Sequence, residues 1–162
     1  MRGKGIRWMI GGAGVVVLSL GMAAGATGLE NLKCIDATFT LQGEHPLSEN
    51  QGLAFLKSEL RSKIPGLPID KKCFPTPDLS ITVISVPTTS QTGVQTGYAF
   101  VTEIGLKRLL LDEDSKEYVL AEVWGTSKLS LTPPELASDK LREKVQELIT
   151  EFASEYRDAG NP

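Results

Sequence analysis

The sequence predicts an α+β domain of order β-α-β-β-β-α, a mostly antiparallel four-stranded sheet with two helices on one face. Three observations carry this expectation. Apolar residues alternate with polar ones over residues 35–41, and a β-branched stretch covers 79–86. Two long apolar runs, 97–111 and 118–131, flank an acidic turn, Asp112-Glu113-Asp114-Ser115. Apolar residues also recur every three or four positions over 53–64 and 141–156, the period of a helix with one buried stripe.

In the first strand Ile35, Ala37, Phe39 and Leu41 share a face, with Cys34, Asp36, Thr38 and Thr40 between them. Gly43 to Pro46 breaks the pattern. Ser48, followed three positions later by Gln51, forms a capping box, and Leu53, Leu56, Leu60 and Ile64 make the inner face of a helix that Pro65 stops. Residues 65–77 hold four prolines and read as a loop. The second strand is expected to end at Pro87, with a polar loop over 88–96. With the hairpin turn centred on Glu113 and Asp114, Tyr98, Phe100, Ile104 and Leu106 fall on the expected buried face with Val119, Ala121 and Val123. The other face then carries Val101, Glu103, Lys107, Leu120, Glu122 and Trp124. Thr132 is the expected cap of the last helix, with Pro133 in its first turn and Glu135 at the third position; its stripe runs through Leu141, Val145, Leu148, Phe152 and Tyr156 to Gly160.

Of the 162 residues 41% are hydrophobic and 23% charged, too polar for a multi-span membrane protein and too apolar for a disordered tail. Residues 1–26 have the three parts of a secretory signal: Arg2, Lys4 and Arg7, an apolar stretch from Trp8, and a small-residue end, Ala24-Gly25-Ala26. Cleavage before Thr27 leaves residues 27–162 as one domain, expected to be periplasmic or secreted. Retained, the same stretch is about long enough to cross a hydrocarbon core of roughly 30 Å, so membrane contact is expected only in that case. Its five glycines weaken such a helix. No cysteine follows it, so no acyl anchor is expected. The part after the signal holds 14 basic and 20 acidic residues; without a basic run it lacks the electrostatic footprint of a nucleic-acid binder.

The two cysteines, Cys34 and Cys73, both follow the signal, and an even count in an oxidising compartment favours a disulfide between them. Two cysteines alone make a poor zinc site, which wants about four ligands. No metal and no cofactor are expected. The single histidine, His45, reads as an exposed loop residue with no nucleophile motif beside it. Glu103 and Glu122 face each other across the hairpin and mimic a glycosidase carboxylate pair, the one constellation that points to a hydrolase; a solvated sheet face is the plainer account. The acidic turn does not place the glycine and glutamate of a calcium loop. Trp124, with Val101 and Leu120 on the face away from the helices, is either covered by the loop 88–96, the plainer account, or the candidate anchor for a protein partner.

The run Tyr98-Ala99-Phe100-Val101-Thr102-Glu103 opening the long hairpin, and Phe152-Ala153-Ser154-Glu155-Tyr156 closing the last helix, follow an export signal. In this layout the chain resembles small periplasmic envelope-accessory domains. These include the lipopolysaccharide-assembly lipoprotein of the outer-membrane translocon, the N-terminal domain of the propeller protein of the Tol system, and secreted bacterial proteins with Gly-Tyr-Ala-Tyr and Phe-Ala-Asn-Asp-Tyr segments. The missing lipid-carrying cysteine departs from the assembly lipoprotein, and no functional residue carries over. The resemblance implies a non-catalytic accessory or binding subunit in envelope assembly with an envelope protein as partner. The rival readings are a small secreted hydrolase using Glu103 and Glu122, and a module binding a small apolar ligand between sheet and helices.

Overall fold

Residues 28–70 and 75–161 are described by a computed structural model; the expected signal segment and Cys73 lie outside them. The element order is the expected one: β1 (Asp36–Gly43), α1 (Glu49–Lys63), β2 (Asp78–Thr89), β3 (Gln95–Leu111), β4 (Tyr118–Thr132), a 3-10 turn (Pro134–Leu136) and α2 (Ala137–Asp158). The sheet order is β1-β2-β3-β4. β1 and β2 run parallel, which requires the crossover that α1 supplies, and the other neighbours are antiparallel hairpins.

The local signals act as chemistry dictates. The Ser48 hydroxyl accepts from the Gln51 N–H while the Gln51 side chain accepts from the Ser48 N–H, the reciprocal bonds of a capping box. Leu56 and Leu60 then bury fully against the sheet. From the other side Leu79, Ile81 and Val83 of β2 and Phe100, Ile104 and Leu106 of β3 meet Leu141, Leu148, Ile149, Phe152 and Tyr156 of α2 in one core. Each such side chain contributes roughly 1.5–3 kcal/mol by leaving water.

Three boundaries differ from expectation. β2 continues through Pro87 to Thr89, because β1 ends opposite Ser85 and leaves β2 locally an edge strand, where a missing N–H costs no ladder bond. The loop to β3 is a short turn, closed by Ser90 N–H donating to Val94 O at 2.8 Å. Thr132 does not cap α2: it is still paired with Tyr98 as the last residue of β4, and a 3-10 turn precedes the helix without a side-chain cap.

The β3–β4 pairing carries one irregularity that decides which residues face where. Leu106 pairs with Trp124 but Lys107 pairs with Glu122, so Val123 is an extra residue, a β-bulge. The alternation of β4 therefore changes phase at Val123. Beyond the bulge the hairpin outruns β2, whose first residue, Asp78, pairs with Lys107. The strands past that rung form a two-stranded arm with the acidic turn at its tip. Its root is clasped by the Arg108 guanidinium, which donates to the carbonyls of Gly28 (2.8 Å) and Glu30 (3.2 Å). Gly28 lies so close to the bulge that a Cβ there would come within 2.7 Å of the Val123 Cβ, and its φ of +73° is one that glycine adopts without strain.

Candidate functional site

Among the described residues the helices cover one face of the sheet and the other is open. On β2 the open face takes Ser80, Thr82, Ile84 and Val86, since Leu79, Ile81, Val83 and Ser85 are buried. Residues opposite one another in a ladder share a face. The open face of the hairpin therefore follows from the pairs Val101–Leu129, Glu103–Ser127, Gly105–Gly125, Lys107–Glu122 and Leu109–Leu120.

Two of the three expected partner-binding residues lie on this face. Val101 is half-buried between Ile84 and Leu129, and Leu120 is 66% exposed on the arm. Trp124 does not join them, and its expected placement is corrected. The bulge at Val123 turns it to the helix side, where its ring lies 5.2 Å from that of Phe152 and its indole N–H donates to Glu155. The parity expected for Val119 to Glu122 holds, because those residues precede the phase change. Val123, within the bulge, packs on the core.

Glu103 and Glu122 do not face each other across the hairpin, because Glu103 pairs with Ser127 and Glu122 with Lys107, on either side of the Gly105–Gly125 rung; both line one shallow concavity of about 490 Å³ with Lys107, Ser80, Thr82 and Ser127. Its floor is the rung Gly105–Gly125. The Glu122 carboxylate is folded over this pair, one oxygen 2.8 Å from where a Cβ on Gly105 would stand and the other 2.8 Å from a Cβ on Gly125. Any other residue in that rung would push the carboxylate away. Two carboxylates, one ammonium and the hydroxyl-bearing Ser80, Thr82, Thr126 and Ser127 line the cleft beside Ile84 and Ile104, a strip of polar groups on the sheet surface.

Apolar residues that the sequence reading passed over flank this strip. Val86, Leu129 and Leu131 are 57%, 70% and 70% exposed. Reading residues 118–131 as one apolar run hid the fact that Leu129 and Leu131, alternating with Lys128 and Ser130, point away from the helices.

Among the described residues no group of three or more His, Cys, Asp or Glu side chains is placed to hold a metal ion. His45 is half-buried instead of exposed, with neither ring nitrogen in contact with water nor bonded; the neighbouring Leu47 packs on the core and draws the loop inward. Cys34 is buried at 2% exposure. At the arm tip, hydrogen bonds from the Ser115 hydroxyl and the Asp114 N–H hold the Asp112 carboxyl below its ordinary range.

No protein-family model matches the sequence, and no curated protein matches it. Solved structures with a similar layout include a variant PelC dodecamer from Paraburkholderia phytofirmans. It is 13% identical with a TM-score of 0.46, the match covering 74% of this chain and 86% of that one. Rare lipoprotein B from Shewanella oneidensis is 15% identical, TM-score 0.32, over 76% of this chain and 92% of that one. A minor lipoprotein from Acinetobacter baumannii is 8% identical, TM-score 0.35, over 80% and 92%. Bacterial lipoproteins are thus among the solved structures that this chain is similar to.

Proposed function

We propose that the protein is an exported, non-catalytic accessory or binding subunit of the bacterial envelope, which docks a protein partner on the open face of its sheet. The observation that carries this reading is the make-up of that face, large exposed apolar side chains on either side of a polar strip. The signal-like N-terminus and the excess of acidic residues support an extracytoplasmic protein partner over nucleic acid.

The test has three arms. Intact-mass measurement on protein from the native host's periplasm is expected to lack residues 1–26; a mass that retains them favours an anchor. Photo-crosslinking in that host from Val101 and Leu120 should link the chain to envelope protein, and only lipid adducts at both positions would count against docking. Glycan and peptide libraries should remain intact with the purified protein. Turnover that disappears in Glu122→Gln would establish the hydrolase reading instead.

A further inference from the structure

The two edges of the sheet are finished differently. In a strand the N–H and C=O of one residue point to the same side, and the side alternates along the chain. Asp36 N–H donates to Pro77 O at 2.8 Å, so the even residues of β1 face β2 and its odd residues face outward. That outer edge is shut by the chain itself. Ile35 N–H donates to Pro68 O and Ile35 O accepts from Asp70, Ala37 N–H donates to the Asp36 carboxylate, and Leu41 N–H donates to Glu49.

The same parity carries across the sheet to the other edge. The odd residues of β2 face β1 and its even residues face β3; Pro87, which has no N–H to give, is odd and takes nothing from the β3 ladder. Ser80, Thr82 and Ile84 therefore bond Gly105, Glu103 and Val101. Ile104, Thr102 and Phe100 turn the other way, to Thr126, Lys128 and Ser130 of β4. This leaves Gly125, Ser127, Leu129 and Leu131 with N–H and C=O pointing out of the sheet. Among the described residues no hydrogen bond reaches these groups. All four residues are exposed, and no proline and no bulge interrupts the edge between them. Its one charge, Lys128, is turned to α2 by Glu151.

We infer that the edge of β4 from Gly125 to Leu131 receives an extended segment of a partner protein as an antiparallel fifth strand. This inference rests on the reading of the open face as a protein-docking surface and names how the partner is held. Only another extended backbone satisfies a row of alternating donors and acceptors. Side chains set the chemistry of that segment. On the open face it lies beside the exposed Leu129 and Leu131, which call for apolar residues. It also lies beside Gly125, where a Glu122 carboxylate oxygen stands 2.8 Å from the position of the missing Cβ. Among the described residues Glu122 has no ion-pair partner, so a basic residue opposite Gly125 complements its charge. A second copy of β4 centred on the same segment would instead set Lys128 against its own counterpart, and like charges directly opposite destabilise a ladder.

The probe is the heptapeptide Val-Thr-Val-Thr-Thr-Thr-Lys, blocked at both ends, whose antiparallel pairing sets its valines beside Leu131 and Leu129 and its lysine beside Gly125. The measurement is amide hydrogen exchange by NMR on the exported protein, with peptide up to about millimolar concentration, the range of a single unassisted strand. In the free protein the amides of Ser127, Leu129 and Leu131 should exchange fast, and those of Thr126, Lys128 and Ser130 slowly. Saturating peptide should slow the first set about tenfold or more. Methylating the backbone nitrogens of the third and fifth peptide residues, which face β4, should weaken binding about tenfold or more; methylating the fourth, which faces away, should not. Glu122→Gln should weaken binding about threefold. Three results would overturn the fifth strand: no change at these amides, changes confined to other parts of the open face, or binding indifferent to methylation of the third and fifth residues. Protection that grows with protein concentration alone would overturn it in favour of a second copy. If the peptide leaves the edge untouched while crosslinking from Val101 and Leu120 still reaches envelope protein, the fifth strand falls and the docking-surface reading stands.

Discussion

The indole N–H of Trp124 donates to the Glu155 carboxylate at 2.6 Å and so ties the edge strand β4 to α2. A second tie, between Lys128 and Glu151 at 2.9 Å, follows four residues further along each element in opposite directions. Helix α2 therefore lies antiparallel over β4. Trp124→Phe should keep the packing on Phe152, leave the Glu155 carboxylate without its donor, and cost about 1–2 kcal/mol. Trp124→Ala should cost about 3 kcal/mol or more. Urea unfolding midpoints check both, and an alanine variant within about 0.5 kcal/mol of the parent would contradict the assignment of Trp124 to the core.

A disulfide between Cys34 and Cys73 is expected to fasten the segment before β1 to the loop before β2. Closing a loop of about 40 residues stabilises by up to roughly 4 kcal/mol in the chain-entropy model. Non-reducing peptide mapping should recover the linked peptides, and Cys73→Ser should lower the unfolding midpoint accordingly. Two thiols that alkylate freely in the native protein would refute the pairing.

Thr102 is fully buried on the helix side of β3, and its hydroxyl has no hydrogen-bond partner. An unpaired buried hydroxyl costs about 1–3 kcal/mol, whereas the isosteric methyl costs nothing there. Thr102→Val should therefore raise stability, by about 1 kcal/mol. A loss of stability would mean that an ordered water serves the hydroxyl.

Asp70 and Lys57 form an ion pair at 2.8 Å that holds the residues after α1 to that helix. Burial alone would raise the Asp70 pKa, but the hydrogen bond and charge of Lys57 outweigh it, and the carboxyl sits below its ordinary value of 3.8. A carboxylate with a lowered pKa stabilises the fold above the ordinary value and loses that contribution as the pH falls through the lowered one. Lys57→Met should thus remove part of the loss of stability below about pH 4 while leaving the acid limb otherwise intact. An acid limb identical in the two proteins would show that the pair contributes nothing.

Much of this fold is legible in the sequence because the signals are local. Ser48 and Gln51 lie three residues apart, Pro65 follows the last helical leucine by a few residues, and the period-two pattern from Ile35 to Leu41 needs no distant partner. Faces within the hairpin are legible only as far as the period lasts. Leu120 and Glu122 are placed correctly from parity, and Trp124, two residues later, is not, because a single inserted residue reverses every side chain after it. That Glu103 and Glu122 share the open face is legible, but not that the Gly105–Gly125 rung stands between them, because the bulge and the register are set by pairing. The apolar flank of Val86, Leu129 and Leu131 is not, since an apolar residue in a strand declares burial or exposure only once its opposite number is known.

On the proposed reading of residues 1–26 as a cleaved signal, the Arg108 clasp turns processing into a question of timing. A peptidase cutting after Ala26 works two residues from Gly28, whose carbonyl is held by the guanidinium and whose neighbour Leu29 is buried without exposure. An enzyme cleft needs several residues of extended chain on each side of the bond it cuts. Those residues are free only while Leu29 is still outside the core. On that proposal processing comes before the clasp closes, and a chain that folds too early would keep residues 1–26 by being finished too soon.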